Sequence, residues 1–197
     1  MSWVVRASDI IKRPVVTMAG DDVAQVKDVI YSARGGRLGG FTLAGRGIFA
    51  GPLDRALDWS SVAGIGNAAV MISGDDVLEP VQDVLDRSAS TGGQGGNALG
   101  AQLLTDDGGD LGTVVDLIVR VTDRPSLHGA VIGCEVVSSG YGLGEEGTHA
   151  FVPLPNVLVA SGEHVMVPAK AKDFATSDLA ALDRAATDFR AQQEGAQ

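Results

Sequence analysis

Thr17-Met-Ala-Gly-Asp-Asp22-Val-Ala-Gln-Val-Lys-Asp28-Val-Ile30 returns eighty-eight positions later as Thr105-Asp-Asp-Gly-Gly-Asp110-Leu-Gly-Thr-Val-Val-Asp116-Leu-Ile118. A second echo sets Trp59-Ser-Ser-Val62 and Val70-Met-Ile72 against Leu154-Pro-Asn-Val157 and Val165-Met-Val167, about 95 positions apart. The drift in offset means that two copies keep one order of elements and differ by loop insertions. Such duplication decides the architecture before any side-chain chemistry is considered.

Within the first copy, Ala24, Val26, Asp28 and Ile30 alternate with Gln25, Lys27, Val29 and Tyr31, the period of a strand. Arg34-Gly-Gly-Arg37 supplies a tight hairpin turn, and Leu38–Leu43 returns as its partner, with Gly39-Gly40 marking a bulge or sharp bend. Ala7-Ser-Asp-Ile-Ile-Lys-Arg-Pro14 reads as one helical turn capped by Ser8, and Val15–Met18 as a strand. Asp58–Ile65 reads as a short helical turn, and Ala68–Ser73 as the closing strand. The second copy repeats the plan with strands at 102–105, 112–121, 130–137, 150–154 and 164–167. Short strands at this density predict a small curled sheet or barrel.

Between the copies, Val81–Arg87 reads as a short helix, and Ser88-Ala-Ser-Thr-Gly-Gly-Gln-Gly-Gly-Asn97 as a flexible linker. After Pro168, Thr176-Ser177 reads as a helix cap. Leu179, Leu182, Ala186 and Phe189 form an apolar stripe opposite Asp183, Arg184, Asp188 and Arg190. The expected organisation is a first barrel at 1–79, a helix and Gly-rich linker at 80–98, a second barrel at 99–170, and a C-terminal helix and tail at 171–197.

Composition narrows the function. The net charge of −10 is concentrated beyond residue 79, where 7 basic face 16 acidic side chains. That balance argues against general binding to nucleic acid or to anionic membranes. No run of about 18 to 20 apolar residues is long enough to span a bilayer. The sole cysteine, Cys134, lies in an apolar stretch and reads as a small core residue suited to a reducing cytoplasm.

Arg6-Ala-Ser-Asp-Ile-Ile-Lys-Arg-Pro-Val-Val-Thr17 and the Asp22–Ile30 strand resemble the PRC-barrel family, the small β-barrel of the photosynthetic reaction centre H subunit and of a ribosome-maturation factor. The resemblance covers 4–73 well and 99–168 more loosely. It implies a mainly β fold of two tandem PRC-type barrels with a C-terminal α-helix, as in tandem-barrel bacterial proteins. It also implies a general role in binding macromolecules and no catalytic residues.

Each candidate site has a competing structural role. Asp28 and Asp116, placed by alternation on the face of Val26 and Ile30 or Val114 and Ile118, suit either acid–base chemistry or the acceptance of backbone N–H groups at a barrel corner. Asp106-Asp-Gly-Gly-Asp110 has the first and fifth acids of a calcium loop but Leu117 where a bidentate Glu is needed, so it reads as a hairpin turn. Gly140-Tyr-Gly-Leu-Gly144 precedes Glu145-Glu146, which would repel phosphate, and reads as a mobile hairpin loop. His128, His149 and His164 have no metal or triad spacing. Trp59 reads as barrel core.

The expectation is a non-catalytic cytoplasmic scaffold or protein-binding module with no cofactor and no metal. Its partner is a protein of unidentified nature or a second copy, as a homodimer. Arg34, Arg37, Arg46 and Arg55 are the partner-binding candidates, forming a basic rim for an acidic surface. The alternatives are a ribosome-assembly or RNA-processing factor, and a small-ligand binder.

Overall fold

The computed structural model describes residues 2–31, 37–47, 50–90, 98–122, 130–155, 159–160 and 163–195, with side chains omitted at 89–90 and 159–160. The first half contains β1 (Ser2–Arg6), α1 (Ala7–Ile10), β2 (Pro14–Thr17), β3 (Asp22–Tyr31), β4 (Leu38–Ala44), β5 (Pro52–Asp58), β6 (Val62–Ile65), β7 (Val70–Ile72), β8 (Leu78–Pro80) and α2 (Val81–Ser90). The second contains β9 (Gln102–Thr105), β10 (Asp110–Thr122), β11 (Ala130–Ser138), β12 (His149–Pro153), β13 (Val159–Ala160), β14 (His164–Val167) and α3 (Leu179–Glu194). Most of the Arg34–Arg37 turn, the linker from 91 to 97, and His128 lie outside the described residues.

The strands form two sheets. One runs β6-β7-β2-β3-β4-β5-β8, and the other β12-β11-β10-β9-β14-β13 with β1 also paired to β10. Among the described residues both are open paths that curl over a core. The duplication is carried in the register. Val15 lies parallel to Val70 as Leu103 lies parallel to Val165, and Ile65 faces Val70 as Ala160 faces Val165. The hairpins leading into the long strands match too. Gly20 N–H bonds to Thr17 O, and Gly108 N–H to Thr105 O, both at 2.9 Å and both with glycine at positive φ.

Two irregularities recur in each copy. The β3–β4 register shifts between Val26 and Asp28 and again between Ile30 and Tyr31; the β10–β11 register shifts between Val114 and Asp116 and between Ile118 and Val119. An extra residue reverses the inward–outward alternation. Val26 and Val114 therefore enter the main core, whereas Ile30 and Ile118 turn to the outer face, where the helices cover them. This corrects the regular alternation expected from sequence, which kept Asp28 and Asp116 beside the core valines.

The helices belong to the repeat. α2 lays Val84 and Val81 on Ile30 and Ala56, while α3 lays Leu182, Ala186 and Leu179 on Ile118, Ile132 and Phe151. Close approach of helix and neighbouring strand needs glycine in both units. A Cβ on Gly133 would come within 2.8 Å of both Val152 O and Leu182 Cδ2, whereas in the first unit Gly39 faces Ser88 of α2 and Gly40, at φ 152°, backs onto Leu57 O. Residues 80–98 are thus not simply a connector, because their helix is the outer layer of the first sheet.

Other expectations change in detail. Ser8 does not cap α1, whose N-cap is Arg6 without a side-chain bond. Asp178, not Thr176 or Ser177, caps α3 by accepting the Ala180 N–H at 2.9 Å. Asp58–Ile65 is a single turn at Trp59–Ser61 followed by β6. Asp183 and Arg190 do not simply face solvent. Arg120 on β10 donates to the Asp183 carboxylate, and Arg190 donates to Val131 O at 2.8 Å and Leu154 O at 3.1 Å, so both bind α3 to the sheet.

The N-terminus departs most from the expected division. β1 leaves the first unit and pairs antiparallel with the far end of β10, from Ser2 opposite Thr122 to Arg6 opposite Ile118. The chain then crosses to the first sheet through α1, and buried residues of both halves, Ile10 and Val15 with Leu103 and Val119 among them, join one core cluster. Leu182→Ala should cost about 2–5 kcal/mol in urea unfolding, since its side chain is fully buried against Gly133. Leu85→Ala, on the exposed side of α2, should stay within about 0.5 kcal/mol.

Candidate functional site

The polar groups with the most elaborate surroundings lie where β1 and α1 cross from one sheet to the other. Asp116 follows the first bulge of β10. Its Oδ1 accepts the Leu117 N–H at 2.8 Å and the Ser8 N–H at 3.3 Å, and its Oδ2 accepts the Ser8 hydroxyl. Asp28, at the same step of β3, accepts the Val29 N–H at 2.8 Å. Both carboxylates therefore satisfy backbone N–H groups that a bulge leaves without a ladder partner. Asp116 is buried, whereas Asp28 is exposed.

Beside Asp116, a second carboxylate is enclosed on the outer face. Glu135 is directly opposite Asp116 in the β10–β11 register. Arg6 Nε donates to it at 2.6 Å, and His149 Nδ1 lies 2.8 Å from its other oxygen. The Arg6 guanidinium also covers the Phe151 ring at 5.3 Å. Burial would raise the Glu135 pKa, but hydrogen bonds from Arg6 and His149, reinforced by their charge, hold it below the usual carboxylate value. Arg6–Glu135 thus ties the first strand of the chain across β10 to β11. Sequence reasoning missed this cluster because Arg6 lies 129 positions from Glu135, and no spacing links the two.

Tyr31 marks the meeting of the two copies. Burial pushes its phenol pKa up, and the nearby Asp116 and Asp28 carboxylates push it further. Its hydroxyl is held protonated at all ordinary pH. Cys134 is fully buried and its thiol is pushed up to about 12, so it sits in the core as a neutral thiol. Trp59 is buried against Phe41, ring centroids 5.7 Å apart.

The acidic hairpin has a structural occupation for each carboxylate. Asp106 accepts the Ala169 N–H at 2.8 Å, Asp107 accepts the Thr105 hydroxyl and the Gly109 N–H, and Asp110 accepts the Gly112 N–H at 2.9 Å. The glycine-rich stretch from Gly140 to Gly144 lies in the hairpin connection between β11 and β12, as its composition implied. Leu143 is buried, Gly147 N–H returns to Ser138 O at 2.8 Å, and Tyr141 lies against Gly109 with Lys172 5.6 Å above its ring.

The candidate arginine rim is only partly assembled. Arg46 pairs with Asp22 at 2.8 Å, and Arg55 donates to Leu78 O at 2.6 Å and Asp75 O at 3.1 Å, which fastens β5 to the segment leading into β8. Arg37 is exposed and its backbone bridges to Ala130 of the second sheet. Arg34 lies outside the described residues.

Each copy is thus a small, bulged, curled sheet covered by one helix. Residues 4–78 match the PRC-barrel domain model. The chain therefore carries a PRC-barrel domain from β1 to the start of β8. The second sheet repeats the register of that domain. No curated protein matches the chain.

Glu135 provides a test. Its folded pKa lies below the unfolded value, so its contribution to stability is present above the unfolded carboxylate pKa of about 4.3 and disappears as pH falls through the lower folded value. Urea midpoints measured from pH 6 down to pH 3 should fall for the native chain, and fall less steeply for Glu135→Gln.

Proposed function

We propose that the chain is a non-catalytic module that binds another protein through its barrel surfaces. The observation that carries this reading is Trp3. It is 38% exposed on β1, a strand that pairs, among the described residues, with β10 alone. An edge strand bearing an exposed tryptophan offers unpaired backbone groups and an aromatic anchor together, the combination by which sheets accept partner segments. Tyr141, 50% exposed beside Lys172, is a second aromatic of this type.

The occupations of the carboxylates support a non-catalytic role. Asp28, Asp116, Glu135 and the three aspartates of the β9–β10 hairpin all hold backbone or side-chain donors of the fold. Acidity concentrated in the second half favours a protein over RNA. Among the described residues, no helix is long and apolar enough to cross a membrane.

A tagged chain purified from its native cell after cross-linking should retain a protein partner in fixed stoichiometry, insensitive to nuclease. Trp3→Asp should lower that recovery at least tenfold with the thermal midpoint little changed. Ribosomal co-sedimentation that weakens with salt would replace this reading with the assembly-factor one. A sedimentation profile showing only a second copy would make self-association the function of the surface.

A further inference from the structure

At the corner that leads into the first paired strand, the two copies share a backbone but not a surface. Lys12 N–H bonds to Val26 O at 2.8 Å, and Val26 N–H to Arg13 O at 2.9 Å. In the second copy Gly100 N–H bonds to Val114 O at 2.8 Å, and Val114 N–H to Ala101 O at 2.9 Å. The bulge that follows holds Lys27 in the first copy and Val115 in the second. Lys12, Arg13 and Lys27 thus stand where the second copy has Gly100, Ala101 and Val115.

The backbone of this corner favours glycine. Gly100 turns it at φ 83°, whereas Lys12 turns it at φ 71° and is, among the described residues, the one non-glycine residue at positive φ. A Cβ in the left-handed region crowds the following carbonyl, a strain that glycine escapes. The second copy makes the same hydrogen bonds without a side chain, so the turn itself does not call for lysine. A residue held against such strain points to a role for its side chain.

The surroundings leave the positive charge uncompensated. Lys12 and Lys27 are exposed, and among the described residues neither has an ion-pair partner. Arg13 is partly buried beside Lys12. It donates through Nε to Asp9 O at 2.7 Å and through Nη1 to Gly66 O, so main-chain carbonyls rather than a carboxylate receive it. Burial pulls its pKa down, and Asp9 alone acts the other way. Gly66 brings the β6–β7 turn against the corner, and residues 59–74 carry no charge. Asp28, next to Lys27, already accepts the Val29 N–H.

We propose that Lys12, Arg13 and Lys27 form a docking surface for an acidic segment of another protein. The carbonyl bonds fix Arg13, and the two exposed lysines close on the partner's carboxylates. Charge complementarity selects the partner. The patch is positive on a chain of net charge −10, so a short run of aspartate and glutamate meets it while an extended polyanion is repelled by the remaining surface. This inference rests on the protein-binding reading and names the chemistry of one partner segment.

The probe is a fluorescently labelled Gly-Glu-Asp-Glu-Leu-Asp-Glu-Gly peptide, titrated against the full chain by anisotropy at low ionic strength. Saturable binding that weakens with added salt is expected, with amide shifts at Lys12, Arg13, Lys27 and Gly66 in heteronuclear spectra. The double variant Lys12→Gly/Lys27→Val installs the second copy's residues. It should weaken binding at least tenfold while the thermal midpoint holds or rises. Lys170→Gln/Arg184→Gln removes the same charge from exposed positions of the second unit and should leave binding within twofold.

Absence of saturable binding overturns the proposal. Equal weakening by both double variants does so too, because the attraction would then be diffuse. A lower thermal midpoint in Lys12→Gly/Lys27→Val would make the lysines structural and overturn the assignment. Inorganic phosphate or a single-stranded oligonucleotide that displaces the peptide at lower concentration would overturn the carboxylate partner in favour of a phosphate one. A native-cell partner recovered equally well by the unaltered chain and by Lys12→Gly/Lys27→Val would overturn this surface while sparing the protein-binding reading.

Discussion

A β-bulge followed by an aspartate governs the whole molecule, once in each copy. The extra residue at Lys27 or Val115 reverses the strand's alternation, so one strand feeds two apolar layers: the core inside the sheet and the face beneath a helix. The reversal leaves an N–H outside the ladder, and the carboxylate of Asp28 or Asp116 accepts it. An apolar residue at either position would leave a strained strand with an unsatisfied donor. Thirteen residues of β10 can thereby serve β9, β11 and β1 at once.

The two copies diverge through what is attached to that shared device. In the second, the aspartate is buried under Ser8, and β1 adds a strand whose Arg6 neutralises Glu135. In the first, the same positions carry an exposed aspartate and a threonine. The N-terminal strand also makes the halves interdependent, because it begins in one sheet and continues through α1 into the other.

Much of this was legible in the residues. The repeated Thr-to-Ile segments predicted two like units, and the second echo aligned Val70 with Val165, which the structure places in matching parallel pairs. The structural reading of Asp28 and Asp116 rested on one residue type recurring at one step, and backbone capping is what they do. Alternation failed at those same residues, because a bulge adds one position without any local marker in Val26-Lys-Asp28 or Val114-Val-Asp116. β1 and β5 also went unread. Ser2–Arg6 is too short to declare a partner, and Pro52–Asp58 begins with a proline and carries charges suited to an edge-like strand.

Local sequence by itself determined the mainly β character, the duplication, the placement of Cys134 and Trp59 in the core, and the apolar stripe of the last helix, because each depends on residue type and short-range period. Only the tertiary structure decided which sheet receives the first strand, which helix face binds by charge as well as by packing, and that Arg6, Glu135 and His149 form one cluster. Those outcomes depend on groups brought together across 14 to 129 positions of chain, where pairing is selected by the burial and charge compensation of the finished core and leaves no periodic trace along the chain.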